Sequence, residues 1–238
     1  MEAIAERIES VRKRIAIAAE RSGRGADDVL LVAVTKTHPV ETIRKAYDAG
    51  LRHFGENRPE EALPKIEALN AQLASEGASA PTWHMIGHIQ HRKVKLVIGK
   101  YALIHSVDTV KLARRLDGKL EEAGLGVQPI LLEVNVSGEP TKYGFRQEEL
   151  PGAVEEILAL KHLEIQGLMT VAPIAEDPEE VRPVFRRLRE LMEELKGKYP
   201  EVPWKHLSMG MTDDFEVAIE EGSTIVRIGR AIFGPREY

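Results

Sequence analysis

The sequence predicts an α/β protein folded as a single-domain (β/α)8 barrel with an extra helix at its N-terminus. Eight short apolar segments alternate with amphipathic segments along the 238 residues, as expected for parallel strands joined by crossover helices. No Gly-x-Gly-x-x-Gly motif follows the first strand, which argues against the alternative, an open doubly wound sheet. No linker divides the chain, so we expect residues 1–238 to form one domain.

The first half of the chain contains the extra helix and four strand–helix units. An apolar stripe predicts a helix over residues 2–22, which the glycines at 23 and 25 end. Prolines at 39 and 59 stand where two of the later helices begin. The predicted strands of this half are 30–36, 50–54, 83–86 and 102–105. The predicted helices are 40–49, 59–69, a basic helix that ends at residue 98 and a further helix that ends at residue 123. Residues 71–81 are predicted to form a surface loop.

The second half contains four further strands. Residues 137–145 are polar and rich in glycine and proline, and they are too long for a tight turn. A long charged amphipathic helix over 178–198 is expected to face solvent, although it could dimerise. The predicted strands are 128–136, 164–169, 205–208 and 223–227, and the predicted helices are 147–160, 178–198 and 213–220.

Composition excludes several classes of function. Hydrophobic residues make up 43% and charged residues 30% of the chain, and the net charge of -5 gives no general attraction to nucleic acid or anionic membranes. There are no cysteines, so disulfides, thiolate metal sites and cysteine nucleophiles are excluded. The N-terminus is acidic and amphipathic, unlike a secretory signal, and no apolar run reaches membrane-spanning length. We therefore expect a cytoplasmic protein.

Lys36 ends the first predicted strand, and it is the principal candidate for chemistry. An apolar, β-branched run from Leu30 to Val34 predicts a buried strand, and such a strand does not usually end on an ammonium group. The carboxyl ends of barrel strands are where ligands and catalytic groups collect. A desolvated lysine there can lose its proton and attack a carbonyl to form a Schiff base, whereas the alternative is a lysine that extends to water.

Polar residues also end the other predicted strands. Their side chains would share one mouth of the barrel with Lys36. The loop after strand seven contains Gly210, Thr212 and Asp213, and the loop after strand eight contains Gly229. In many barrels, the loops at these two places bind a phosphate group. The strand-end residues are Lys36, Asn57, His84, Asn135, Thr170, Ser208 and Arg227.

These residues together describe a ligand. It needs a phosphate for the two glycine-containing loops, an aldehyde for Lys36 and an acceptor atom for Arg227. Pyridoxal 5'-phosphate (PLP) has all three features. Because arginine remains protonated, Arg227 beside the pyridine nitrogen would keep that nitrogen unprotonated, and the cofactor would be a poor electron sink.

The sequence also resembles the pyridoxal phosphate homeostasis protein family, whose single domain is similar to the N-terminal barrel of alanine racemase. Six spaced motifs carry the resemblance, in consistent order between about residues 5 and 234. They are Val34-Thr-Lys-Thr37, Phe54-Gly-Glu-Asn57, His84-Met-Ile-Gly-His-Ile-Gln90, Gly167-Leu-Met-Thr170, Ser208-Met-Gly-Met-Thr-Asp213 and Val226-Arg-Ile-Gly229.

The resemblance implies a role for each matching residue. Lys36 would form the Schiff base and Arg227 would face the pyridine nitrogen, while Asn57 and His84 would line the cofactor. The chain departs from the usual family pattern at Arg92, where an asparagine is frequent, and at Arg230, where a small hydroxyl residue is frequent. The Arg230 side chain could add positive charge beside the phosphate, or it could point away and leave only the backbone N–H of Arg230 as a phosphate contact. The residues implied around the phosphate are Ser208, Gly210, Thr212, Gly229 and Arg230.

Three functions remain open. Racemisation needs a base on each face of the amino acid. In the racemases that the sequence resembles, the second base is a tyrosine of a separate domain. The candidates in this chain are Tyr101 and Tyr143, and we expect both to be structural or surface residues. We therefore expect a non-enzymatic PLP carrier for vitamin B6 homeostasis, with amino acids and PLP-requiring apoenzymes as its partners. A weak PLP-dependent amino acid racemase or lyase is the alternative.

The third possibility is a module that binds protein or nucleic acid through the basic run at residues 88–95. Such a run is usually a solvated helix face, so we expect no nucleic acid partner, no membrane partner and a monomer. Histidines at 84, 88 and 91 cannot share one helix face, because the first belongs to a strand, and we expect no metal site. Glu133 is expected to join an ion pair or hydrogen-bond network inside the barrel.

Overall fold

The computed structural model describes residues 3–235, which form a closed barrel of eight parallel strands. The strands follow one another around the barrel in chain order, and the first pairs with the eighth. Their bounds are β1 Leu30–Val34, β2 His53–Glu56, β3 Thr82–Met85, β4 Leu103–Val107, β5 Gln128–Glu133, β6 Leu163–Met169, β7 His206–Ser208 and β8 Ile225–Ile228. The predicted fold class is confirmed.

Helices surround the barrel and cover the outer faces of the strands. The expected extra helix at the N-terminus packs its buried stripe beside the last two helices of the chain. The helices are α1 Ile4–Arg21, α2 Val40–Asp48, α3 Pro59–Ser75, α4 Val110–Glu122, α5 Leu150–Leu158, α6 Arg182–Lys198, α7 Phe215–Glu220 and α8 Arg230–Phe233, and the 3₁₀ turns are Ala26–Asp28, His91–Leu96, Gln147–Glu149 and Pro178–Val181. The first residue of the predicted helix 2–22 lies outside the described residues.

Three elements differ from the sequence-based predictions. Helix α3 continues into the first part of the predicted loop, as far as Ser75, because buried Leu69 and Leu73 extend its apolar stripe by another turn. The predicted basic helix is a 3₁₀ turn whose buried Val94 and following Val97 are three residues apart, which is the period of that helix. The eighth strand is followed by the short helix α8.

The strand period of two decides which side chains enter the barrel. Val32 belongs to a small apolar cluster inside the barrel, together with residues of strands β4, β5, β6 and β8. Residues two apart on a strand share a face, so Val34 and then Lys36 continue the inward row toward the mouth. On β8, Ile225 in the interior cluster is followed by Arg227 in the same way. The apolar interior is therefore confined to one part of the barrel, and polar side chains fill the rest.

Candidate functional site

Lys36 lines a cavity of about 540 Å³ at the carboxyl end of the barrel. The cavity reaches from the end of β1 across to the loops after β7 and β8. The other described residues that line it are Val34, His38, Ile174, Met211, Thr212, Asp213, Arg227, Gly229, Arg230 and Gly234. The structure therefore brings Lys36, Thr212, Arg227, Gly229 and Arg230, five of the nine predicted site residues, into one cavity.

The backbone after Lys36 adopts an unusual conformation. Thr37 has φ of 68°, a left-handed value that is uncommon for a residue other than glycine. Its N–H donates to Glu61 Oε1 at 2.7 Å, and its hydroxyl donates to the carbonyl oxygen of Lys36 at 2.5 Å. These contacts hold the strained turn that directs the chain from β1 to α2 and fixes where Lys36 leaves the strand.

Arg227 forms the floor of the cavity, where only 4% of it is exposed. Its Nη1 donates to Ser208 Oγ at 2.6 Å, and its Nη2 donates to the carbonyl oxygen of Thr170 at 2.9 Å. Burial lowers the pKa of Arg227 to about 10, opposed by the charges of Glu133 and Asp214, so the group is cationic at neutral pH. A guanidinium has five N–H donors, which leaves donors for a ligand in the cavity.

The opposite wall of the cavity is built by the loop after β7 and the start of α8. Thr212 Oγ1 accepts a weak hydrogen bond from the N–H of Ala231 at 3.4 Å, which ties the two loops together. The Arg230 side chain pairs with Asp213, and both groups are mostly exposed. Arg230 therefore neutralises the carboxylate that would otherwise repel an anion at this wall.

Gly210 is not a lining residue, but it lets the loop after β7 approach α7. Its φ is 96°, and a Cβ atom placed there would lie 2.7 Å from Ala218 Cβ and 2.9 Å from Phe215 Cα. Its carbonyl oxygen accepts a hydrogen bond from the backbone N–H of Arg227 at 3.0 Å. Gly210 thus sets the position of the loop relative to β8.

Three further predicted residues do not line this cavity. His84 lies within β3, and its imidazole is buried in the barrel interior between His53 and His105, below the mouth. The Ser208 hydroxyl also points into the interior and contacts Arg227, because β7 ends at this residue with its side chain inward. Asn57 follows β2 outside the set of cavity-lining residues, and its Oδ1 is buried without a hydrogen-bond partner in the part of the chain that the structure describes.

An acidic group lies on the other side of the mouth. Glu133 is 8% exposed and borders a smaller cavity of about 200 Å³ at the end of β5. Burial, reinforced by the nearby Asp108, raises the pKa of Glu133 to about 7. Asp108 contacts His88 at 2.8 Å, and Tyr143 stacks on that imidazole with 3.6 Å between ring centroids.

The two tyrosines considered as second bases have different surroundings. Tyr143 is 56% exposed and borders the smaller cavity at the mouth. Tyr101 is buried beside the start of β4, away from the mouth, and its hydroxyl has no hydrogen-bond partner among the described residues. Burial raises the pKa of Tyr101, so its phenol stays protonated at neutral pH and no phenolate is available to act as the base.

Two histidines that were not predicted from the sequence contact the predicted residues. His53 contacts His84 at 3.0 Å, and His105 contacts His84 at 3.0 Å and Ser208 at 2.8 Å. The available signal was the presence of one histidine in each of three consecutive strands, β2, β3 and β4. Across residues 3–235, no group of three or more histidine, aspartate or glutamate side chains is arranged so that it could hold a metal ion, and no helix there is long and apolar enough to cross a membrane.

The geometry suits a ligand with an electrophilic carbon, an acceptor atom and an anionic group. Lys36 supplies an amine, Arg227 supplies buried N–H donors, and the wall formed by Thr212 and Gly229 supplies a hydroxyl and backbone N–H groups. All of them border the same cavity. The cavity is thus built to hold a ligand at three separate points.

Comparison with known proteins gives consistent matches over the whole barrel. The sequence profile of the alanine racemase N-terminal domain matches residues 7–237. The pyridoxal phosphate homeostasis protein of Aquifex aeolicus is 48% identical over 233 residues, covering 98% of each chain. The protein of that name from Pseudomonas aeruginosa is 42% identical over 238 residues, covering 100% of this chain and 98% of the other.

A solved structure agrees with these matches. PipY of Synechococcus elongatus, determined with PLP bound, superposes with a TM-score of 0.81 at 34% identity. The match covers 97% of this chain and 100% of that one. The fold, the sequence profile and the full-length relatives agree, and the chain belongs to the pyridoxal phosphate homeostasis protein family, whose barrel is of the alanine racemase N-terminal type.

Proposed function

We propose that this protein binds PLP as a Schiff base on Lys36 and contributes to intracellular vitamin B6 homeostasis without a dedicated catalytic reaction. The observation that carries the proposal is the single cavity bordered by Lys36, Arg227 and the loops after β7 and β8. Each group fits one part of the cofactor: the amine its aldehyde, the guanidinium its ring nitrogen, and the two loops its phosphate. Family relatives are named for PLP homeostasis, and PipY carries PLP.

The residues of the cavity would divide the binding of PLP among them. Thr212, Gly229 and the N–H of Arg230 would hold the phosphate, while the Arg230 side chain would offset the charge of Asp213. Gly210 would act by keeping the loop after β7 in place. When bound, PLP supplies an electrophilic carbon for amines, and a cationic guanidinium at its ring nitrogen would limit further carbanion chemistry.

Two of the nine predicted residues would act from below the cavity. Ser208 and His84 are buried in the barrel interior, so they would support Arg227 and not contact the phosphate or line the cofactor. Asn57 has a buried, unpartnered Oδ1 at the end of β2. We retain Asn57 as a residue near the cofactor, because a ligand-bound water could satisfy that oxygen.

Covalent labelling tests the binding site. The purified protein, loaded with PLP, should show the visible absorption band of a Schiff base, and borohydride reduction followed by peptide mass mapping should place the label on Lys36. Lys36→Ala should lose the band and the label. Lys161→Ala, at an exposed lysine before β6 at the other end of the barrel, is the matched control and should keep both. Labelling spread over several surface lysines would overturn the proposal.

A transfer experiment tests the role as a carrier. The proposed partners are amino acids, which would displace the lysine by exchanging one amine for another, and apoenzymes that need PLP. Incubating the loaded protein with a PLP-dependent apoenzyme should restore that enzyme's activity, and a free amino acid should speed the release. A loaded protein that releases no PLP under either condition would contradict the carrier role.

The second candidate is a weak amino acid racemase or related lyase. The observation that favours it is the pair Glu133 and Tyr143, which border a cavity at the mouth and could exchange a proton. Sustained conversion of L-alanine or L-serine to the D form, lost in both Lys36→Ala and Tyr143→Phe, would support this candidate over the carrier. Absence of turnover in the PLP-loaded protein would leave the carrier.

The proposed partners include neither nucleic acid nor membrane, and we propose a monomeric, cytoplasmic protein. The basic run after β3 is partly neutralised, since Lys93 pairs with Glu60. The long helix α6 carries ion pairs of its own, including Arg187 with Glu194 at 2.7 Å. Sedimentation at several protein concentrations would test the monomer.

A further inference from the structure

A chain of hydrogen bonds runs through the barrel interior and ends at Arg227. The guanidinium contacts Ser208 Oγ at 2.6 Å, and that oxygen lies 2.8 Å from His105 Nδ1. His105 Nε2 lies 3.0 Å from His84 Nδ1, and His84 Nε2 lies 3.0 Å from His53 Nδ1. The chain begins at the cavity at the carboxyl end and stops at half-buried His53, the first residue of β2 at the amino end.

Burial makes the members of this chain depend on one another. Ser208 and His105 are fully buried and His84 is 3% exposed, so water does not compete for their hydrogen bonds. Burial is also the main reason that the pKa of His84 is lowered to about 3. It lowers the pKa of His105 well below its usual value in the same way. The imidazoles are neutral at pH 7, and each has one donor and one acceptor nitrogen.

The arginine fixes the direction of the chain. A guanidinium only donates, so Ser208 Oγ accepts from Arg227 and must place its own hydrogen elsewhere. Among residues 3–235, the other polar group that contacts this hydroxyl is His105 Nδ1, which therefore accepts from it. His105 must then carry its proton on Nε2 and donate to His84, and His84 must likewise donate from Nε2 to His53.

We propose that Ser208, His105 and His84 are positioning residues for Arg227, and that they hold the guanidinium through a hydrogen-bond chain with one fixed direction. Every hydroxyl or N–H group in this hydrogen-bond chain donates away from Arg227. The aligned dipoles therefore make Ser208 Oγ a stronger hydrogen-bond acceptor for the guanidinium. The second guanidinium nitrogen is held by the carbonyl oxygen of Thr170. With two anchors, the remaining N–H groups keep a constant direction toward the cavity.

The consequence for a ligand rests on the proposed function. If the acceptor atom of PLP meets Arg227, a firmly held cation keeps that atom unprotonated and adds a directed hydrogen bond. Without the chain, the guanidinium could rotate away while the rest of the cavity stayed intact. The chain is therefore expected to set the electronic state of the bound cofactor, and not merely to fill the barrel.

The first test needs no ligand. Long-range ¹⁵N–¹H correlation spectra of the ¹⁵N-histidine-labelled protein report which ring nitrogen carries the proton in each imidazole. His105, His84 and His53 should all be protonated on Nε2 at pH 7, with His206, on β7 near the same imidazoles, assigned as a separate resonance. A proton on Nδ1 of His105 or His84 would overturn the proposed direction.

The second test compares variants of the PLP-loaded protein. His105→Leu removes the acceptor for the Ser208 hydroxyl at a similar side-chain volume, whereas in His105→Asn the amide oxygen can replace Nδ1 as that acceptor. Ile104→Val, at the adjacent fully buried position, is the control for a loosened core on the same strand. The readouts are the ¹⁵N resonance of labelled PLP's ring nitrogen and the dissociation constant.

His105→Leu should shift the ring-nitrogen resonance and weaken PLP binding by about tenfold, the effect of losing one charge-assisted contact. His105→Asn and Ile104→Val should keep the wild-type resonance. Identical resonances in His105→Leu and Ile104→Val would show that His105 only fills space, and would overturn the proposal. If the wild-type protein bound no PLP, the proposed function would fail, while the tautomer measurement would still decide the direction of the chain.

Discussion

Lys65→Met offers a quantitative test of how the site is supported. Lys65 Nζ donates to Glu56 Oε1 at 2.6 Å and to the carbonyl oxygen of Thr35 at 3.1 Å, next to Lys36. The Glu56 side chain is completely buried, and within residues 3–235 its Oε2 has no hydrogen-bond partner. The Thr35 hydroxyl donates to Glu56 Oε1 at 2.6 Å, so the substitution leaves the carboxylate with this single donor.

The expected loss follows from the cost of protonating Glu56. Burial is the largest influence on the pKa of Glu56, and it raises that pKa, whereas the hydrogen bond and charge of Lys65 lower it. Removing the lysine therefore raises the pKa of Glu56 further. Protonating a carboxylate of ordinary pKa 4.5 costs about 3.4 kcal/mol at pH 7 and about 0.7 kcal/mol at pH 5, and these costs are the upper limits of the loss because burial already raises the pKa of Glu56 in the wild type.

The sign of the pH dependence is fixed by the direction of this shift. A glutamate whose folded pKa is raised contributes stability at low pH and loses it as the pH rises. The loss of unfolding free energy in Lys65→Met should therefore be larger at pH 7, where it can reach about 3 kcal/mol, than at pH 5, where it stays below about 1 kcal/mol.

Urea denaturation at both pH values measures this difference. The double variant Glu56→Gln with Lys65→Met should recover about 2 kcal/mol at pH 7, because no buried charge remains. Lys198→Met, which breaks an exposed pair with Glu155, is the control and should leave the unfolding free energy nearly unchanged at either pH. An equal loss at pH 5 and pH 7 in Lys65→Met would refute the reasoning.

Three further predictions concern residues around the mouth. Because burial raises the pKa of Glu133 to about 7, Glu133→Gln should exceed the wild type in unfolding free energy by about 1–3 kcal/mol at pH 9 and by less than about 1 kcal/mol at pH 5, as urea titrations would show. Gly210→Ala should lose about 2–3 kcal/mol in the same assay, because its Cβ would lie 2.9 Å from Phe215 Cα at φ of 96°. Asn135→Ala removes side-chain hydrogen bonds of 2.8 and 3.0 Å to the loop after β5, and hydrogen exchange in that loop should become about 5–30-fold faster while the barrel is unchanged.

Much of the fold could be read from local sequence. The apolar runs, the proline at the start of α3 and the alternation of strand and helix patterns fix eight βα units in chain order, because each signal depends on residues close together in sequence. The same periodicity places Lys36 at the end of β1 and Arg227 in the inward row of β8. These two residues were predicted because strand ends converge in any closed parallel barrel.

Other features required the tertiary structure. The inward row of a strand is a local property, but which inward residues meet across the barrel depends on the stagger of the strands, which closure alone decides. For this reason the contact of Ser208 with Arg227, and the imidazoles of His84 and His105 behind it, could not be inferred from the sequence.

The sequence by itself thus determined the order of the strands, the amine at the end of β1 and the glycine-containing loops after β7 and β8. The tertiary structure decided that the predicted residues separate into two layers, one bordering the cavity and one beneath it. The physical reason is that side chains two residues apart on one strand differ in depth by a full layer, and the neighbours that satisfy a buried polar group come from strands far away in sequence.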